Sequence, residues 1–216
     1  MARRKGRSLT QADVIQAALS SLHEAGEEGL GVKHVAQKLG IKPPSLYNHV
    51  TGHQDIRRLV AIEGWRSLYS QIHPHEHNPS PLHIASRIRD FAKQHAPLFA
   101  VMGTTPLSSD DPDYHPLHTA HQHFFSRWFQ HHHNYTPEDS EHAATLLRSF
   151  VHGFCLMQHF GHHSAHDTAF DHALTKLFPA PPSPPHTQRH RTPLPSAITQ
   201  LQAHHPSDPP TEDPPR

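Results

Sequence analysis

Two apolar patterns closed by glycine, and a third segment opened by proline, fill residues 10–50. Ile15, Ala18, Leu19 and Leu22 fall at i, i+3, i+4 and i+7, and Val32, Val35, Ala36 and Leu39 repeat that spacing. This is the period of one helix face. Gly26 and Gly29 end the first pattern and Gly40 the second, as expected where a chain must leave a helix. Thr10 with Asp13 three residues on predicts a capped start for the first helix. Pro43 and Pro44 then stand directly before Ser-Leu-Tyr-Asn-His-Val, where a helix tolerates proline, in its first turn. A helix of barely two turns does not hold itself together in water. It is expected to be braced from behind, with Ile41, Leu46, Tyr47 and Val50 facing the first two helices. After Thr51-Gly52 a longer helix is predicted from about His53 to Ile72, its inner side formed by Ile56, Leu59, Val60, Leu68 and Ile72.

The helical period continues through 83–102, where Pro97 forces a kink or break, and through 117–133, 138–160 and 167–178, with a loop at 103–116. No stretch alternates as a strand would, so the fold class is all-α. From Pro179 onward 12 of 38 residues are proline and almost none is apolar; such a tail cannot bury enough surface to offset its ordering entropy. The predicted organisation is a basic arm over 1–8, a three-helix unit over 9–52, a connecting helix over 53–72, a helical domain over 73–178 and a disordered tail over 179–216. The one cysteine, Cys155, excludes an internal disulfide and a Cys-x-x-Cys zinc site. With no apolar run able to span a bilayer and no secretory leader after the basic first residues, a soluble, cytoplasmic protein without membrane partners is expected.

Three short helices with a tight, glycine-containing turn between the second and third describe a helix-turn-helix, whose second helix enters the DNA major groove. Residues 1–66 carry ten Lys/Arg against six Asp/Glu, whereas the remainder carries nine against thirteen. Only the amino-terminal third is therefore suited to a polyanion. The outward residues of the third helix are expected to be Lys42, Pro43, Pro44, Ser45, Asn48 and His49. The prolines meet bases by shape and apolar contact, and Ser45 and Asn48 can read base edges. Lys33, Tyr47, His49, Thr51 and His53 suit phosphate contacts, which set register without reading sequence.

The segment "GVKHVAQKLGIKPPSLYNHVTGHQDI" resembles the DNA-binding signature of the TetR family of bacterial transcriptional regulators. Val35-Ala36, Leu39-Gly40-Ile41, Leu46-Tyr47-Asn48-His49-Val50 and Asp55-Ile56 hold the family's places at fixed offsets, within a resemblance that covers residues 9–66. There are three departures. Gly31 stands where a Thr usually caps the second helix, Val50 replaces a Phe, and His53 replaces a Lys at the start of the fourth helix. The resemblance implies that the carboxy-terminal helices form a ligand pocket and a dimer interface, the last two long helices building a four-helix bundle with their symmetry mates. It implies a homodimer bound to a palindromic double-stranded DNA operator, most simply a repressor released by a small-molecule effector.

From the residues themselves, segment 141–160 is apolar round much of its circumference and suits burial on more than one side. Phe91, Phe99, Met102, Phe124, Phe125, Trp128, Phe129, Phe150, Phe154 and Met157 can line a pocket for an apolar ligand. Histidine numbers 27, of which 19 lie between residues 73 and 178. The sets His118, His121, His123 and His159, His162, His163, His166 have metal-ligand spacing. In so histidine-rich a chain such spacings arise by chance, so no metal site and no cofactor are assigned; a metal- or pH-responsive regulator is the alternative. No Gly-x-Ser-x-Gly elbow, glycine-rich phosphate loop or His-Glu-x-x-His motif is present, and no catalytic residue is assigned.

Overall fold

The computed structural model describes residues 8–72, 80–133, 135–161 and 167–179. The basic arm up to residue 7, the break at 73–79, His162, His163 and His166, and the tail from residue 180 lie outside the described residues. Every regular element among those described is helical. Thr10 caps α1 (Gln11–Ala25) in a capping box: the Asp13 amide donates to Thr10 Oγ1 at 3.3 Å, and the Thr10 amide donates back to Asp13 Oδ2 at 2.9 Å. Such a cap contributes about 1 kcal/mol. A 3₁₀ turn over Gly26–Leu30 carries the chain into α2 (Val32–Leu39). Gly31 caps α2 with no side-chain hydrogen bond, at a cost of only a few tenths of a kcal/mol against a better cap. Gly40 ends α2 in the left-handed conformation, φ 66°, with the Ile41 amide donating to the Ala36 carbonyl at 3.0 Å. Only glycine takes that turn without strain, and it throws the chain sideways into α3 (Pro43–Leu46).

α4 (His53–Ile72) is the long strut of the molecule. The carboxy-terminal body comprises α5 (Pro81–Gln94), α6 (Ala96–Thr104), α7 (His115–His133), α8 (Pro137–His159) and α9 (Asp167–Leu177). The break expected at Pro97 falls at His95, leaving Pro97 in the first turn of α6. The loop is shorter than expected, 105–114, because α6 runs on to Thr104 and α7 begins at His115 with Pro116 inside its first turn.

Two apolar cores form. One joins Val14, Ala18, Leu22, Leu30, Val35, Ala36, Leu46 and Val50 to the first half of α4. The other joins the second half of α4 to α5, α7, α8 and α9 around Phe91, Phe99, Phe125, Phe129, Leu147 and Phe170. α6 contributes to both: Val101 is buried in the first core, and Phe99 and Met102 in the second. Polar ties run alongside. Arg57 pairs with Glu27 and donates to Thr104 Oγ1 at 3.1 Å. Arg58 binds Asp55, Asp111 and Asp113 at 2.9–3.1 Å, tying the start of α4 to the loop before α7.

Candidate nucleic-acid interface

Lys42 stands extended as the N-cap of α3, and Pro43 and Pro44 occupy the first turn. Regular helix ends at Leu46; the chain continues as a turn to His49, with the His49 and Val50 amides both donating to the Leu46 carbonyl at 2.9 and 3.2 Å. Leu46 is 0% exposed and Val50 is buried, so two side chains pin this short segment to α1 and α2. Ile41 is half-buried against the same core. Tyr47 departs from the expectation that it would face inward: it is 56% exposed. In so short a helix, one position past Leu46 turns a side chain about 100° away from the core.

Of the ten residues expected at DNA, Lys33, Lys42, Pro43, Pro44, Ser45, Tyr47, Asn48, Thr51 and His53 are exposed and His49 is half-buried. α3, the start of α2 and the start of α4 bring them together. Asp55 fixes the last of these corners, accepting from the Thr51 amide at 3.0 Å and from Arg58 at 3.1 Å. Neither Lys33 nor Lys42 is ion-paired among the described residues, whereas Lys38 is held by Glu24 at 2.5 Å. Two free lysines, two imidazoles, a phenol, two hydroxyls and an amide thus share a surface that carries no carboxylate from α3.

The residues expected to line a pocket are distributed differently. Phe91, Phe99, Met102, Phe125, Trp128 and Phe129 are buried in the second core, and Phe124, Phe150 and Phe154 are partly buried against it. Met157 does not join them: it points away from the body and is 45% exposed. Its neighbours on that side of α8 are Leu146, 45% exposed, and Phe160, 52% exposed. The inner face of α8 is formed by Ala143, Ala144, Leu147, Val151 and Cys155. A cavity of about 280 Å³ lies elsewhere, between α1, α4 and the α5–α6 corner, lined by Leu19, Leu22, Glu63, Pro97 and Leu98 among others. None of the expected pocket residues lines it.

Polar groups buried in the second core were not foreseen from the sequence. Beside Phe91 and Trp128 the core admits Arg89, His121 and the inner edge of His152. His121 stacks on Tyr69 with ring centroids 3.6 Å apart, and Arg89 lies over the Phe170 ring at 4.7 Å. For Arg148 and His152 the one available signal was their i, i+4 spacing in the most apolar stretch of α8. Among the described residues, no group of three or more potential ligands is placed to hold a metal ion. No described helix is long and apolar enough to cross a membrane.

Residues 82–178 match the family described as "Tetracyclin repressor-like, C-terminal domain". Among curated proteins the chain is similar to an uncharacterised HTH-type transcriptional regulator of Mycobacterium tuberculosis. The two are 30% identical over 110 residues, 49% of this chain and 50% of that protein, so the match spans about half the relative's length. BioQ, solved with its double-stranded DNA operator, superposes with a TM-score of 0.61 at 19% identity, covering 79% of this chain and 96% of that one. A variant of TetR from Acinetobacter baumannii AYE in complex with minocycline gives a TM-score of 0.59 at 21% identity, covering 78% and 90%. At those identities the structural likeness is one of fold; the matched carboxy-terminal domain and the curated relative carry the assignment further. The carboxy-terminal half of the chain is thus a tetracyclin repressor-like domain, and the chain has the fold of TetR.

Proposed function

We propose that this protein is a sequence-specific DNA-binding transcriptional regulator, a repressor that leaves its operator when a small molecule enters the carboxy-terminal body. The observation that carries the reading is the presentation of α3. Leu46 and Val50 are sealed inside while Lys42, Pro43, Pro44, Ser45, Tyr47 and Asn48 stand in solvent. A four-residue helix held by its back in this way serves no packing purpose on its front, and its outward groups are those that read base edges and phosphates. BioQ's complex with its operator shows the same fold bound to duplex DNA. In this reading residues 9–52 bind DNA, α4 connects, and the body from α5 to α9 takes the effector and forms the dimer.

Homodimerisation is supported by α8. Leu146, Phe150, Gly153, Met157 and Phe160 fall at i, i+4, i+7, i+11 and i+14, a continuous outer stripe that the single chain leaves exposed or half-exposed. A Cβ added at Gly153 would meet nothing within 4 Å, so this chain supplies no neighbour at the centre of the stripe. A two-fold dimer matches a palindromic operator with half-sites about one helical turn apart.

The test is selection of bound fragments from the source genome, followed by affinity measurement over a range of salt. Neutralising phosphates makes log affinity fall linearly and steeply with log salt concentration. Affinity that is flat in salt, or fragments without two-fold symmetry, would remove this function.

A further inference from the structure

Arg148 and His152 lie one turn apart on the inner side of α8, on the face shared by i and i+4. His152 Nδ1 sits 2.9 Å from the Arg148 carbonyl. A carbonyl only accepts, so Nδ1 carries the hydrogen and Nε2 is left with a lone pair. The His152 ring lies against Trp65, centroids 5.0 Å apart, and nearly parallel to Phe99 at 5.3 Å. Nε2 of His152 and Nε of Arg148 are both buried, and neither has a hydrogen-bond partner among the described residues. No ion pair seen among the described residues includes Arg148, so no described carboxylate is paired with its guanidinium. Its charge bears instead on Tyr69 from α4, Tyr114 and His118 beside and on α7, and His152, all neutral or basic groups.

A buried unmatched donor, Arg148 Nε, and a buried unmatched acceptor, His152 Nε2, one turn apart on the same helix are costly unless a bound group completes them. We propose that the effector is a small monocarboxylic acid with an apolar body, held by its carboxyl group between Arg148 and His152 and by its body against Trp65, Phe99 and Tyr69. This rests on the regulator reading above, in which the carboxy-terminal body takes an effector. One carboxyl oxygen accepts from Arg148 Nε–H. The other shares a proton with His152 Nε2, and that proton comes from bulk water, because a carboxylate reaches the site ionised. Each binding event therefore takes up one proton. The charged group that bears on His152 is Arg148 from α8; α4 presents the Trp65 ring to it and α6 the Phe99 ring.

The experiment is calorimetric titration of the full chain with benzoate and hexanoate, each against its primary amide, in two buffers of different ionisation enthalpy at one pH. At least one acid is expected to bind about tenfold or more tighter than its amide, with about one proton taken up per site. Arg148→Met is expected to abolish that preference while leaving ligand-free thermal stability equal or higher, since it removes an unbalanced charge. Amides binding as well as acids, no binding by either, or binding without proton uptake would overturn the proposal. A fall of several degrees in the melting temperature of ligand-free Arg148→Met and Arg148→Gln would overturn it too, by showing a structural role. Operator binding measured on the same preparations separates the two readings. Intact, salt-dependent operator binding with no acid response removes the effector class alone, whereas loss of operator binding in the unmodified chain removes the regulator.

Discussion

Leu46 and Tyr47 are adjacent in sequence yet their side chains meet different surroundings, and that contrast can be measured. Leu46 is 0% exposed in the amino-terminal core, and Tyr47 is 56% exposed. Truncating a fully buried leucine to alanine costs about 2–5 kcal/mol, from lost transfer energy and the cavity left behind. A surface truncation costs less than about 0.5 kcal/mol. In a chain of this size each kcal/mol moves the melting temperature by about 2–4 °C. Leu46→Ala is therefore expected to lower it by about 4–20 °C and Tyr47→Ala by no more than about 2 °C. DNA binding reverses their rank in specificity. A hydrogen bond to a charged phosphate is worth about 1.5–3 kcal/mol. Losing one from each of two half-sites lowers operator affinity by at least about a hundredfold. Leu46→Ala also weakens binding, but only through a loosened α3, so lower temperature should restore part of it. Circular dichroism melts report the first quantity and fluorescence anisotropy on a selected operator fragment, at fixed salt, the second. If Tyr47→Ala melts with Leu46→Ala, or binds operator as the unmodified chain does, the claim that α3 is braced by one side and reads DNA with the other is wrong.

Three further outcomes follow from the packing. Burial pushes His152 down to about 4, outweighing its hydrogen bond to the Arg148 carbonyl. The unfolded chain binds that proton near pH 6.5, so between the two values it holds more protons than the native chain. Stability should fall on acidification from about pH 6.5 toward 4, by on the order of 3 kcal/mol from this group; denaturation melts of His152→Phe should show a shallower slope, and an identical slope would contradict the assignment. Gly153→Arg places a charge at the centre of the outer stripe of α8, where a Cβ meets nothing in its own chain. Light scattering should find folded monomers with weakened operator binding, and an unchanged dimer would move the interface elsewhere. A Cβ at Gly64 would lie 2.6 Å from Met102 Sδ. Gly64→Val should cost about 1–3 kcal/mol by overpacking, partly recovered by Met102→Ala in the same chain, and strictly additive losses in urea denaturation would exclude the contact.

The amino-terminal unit was legible because its information is local. Capping at Thr10, the turn at Gly40 and the proline entry at Pro43 each act within a few residues, and the apolar period named Val35, Ala36, Leu46 and Val50 as inner residues. Tyr47 was read both as an inner residue and as a phosphate contact; only the inward placement fails, because register in a single helical turn is decided by which neighbour, Leu46, reaches the core. The body was legible only as helices. Whether an aromatic residue packs into a core or stands outside depends on which faces of α5 to α9 meet, and periodicity does not encode that for a helix apolar on two sides. Met157 was expected inside for this reason and stands outside. The polar pair Arg148 and His152 was hidden more deeply. Its significance lies in what does not approach it, and a missing counter-ion is visible only once the helices are placed.

α6 turns these two differently legible halves into one device. It is nine residues long, and its faces serve different cores: Val101 is buried with the helix-turn-helix, while Phe99 and Met102 are buried with the body. Gly64 lets Met102 approach α4 at its midpoint, and Arg57 ties the end of α6 to Glu27 beside the helix-turn-helix. Phe99 is also the ring that lies parallel to His152. A group bound at His152 therefore acts on α6 through direct contact. α6 cannot shift without disturbing packing around Val101, because close-packed interiors respond to displacement by repacking as a unit. In the proposed reading, the ligand's influence on DNA binding is limited to the difference in its affinity for the DNA-binding and released states. Coupling in this chain thus needs no long pathway: one short helix has a residue in each core, and the unbalanced polar pair lies against its side.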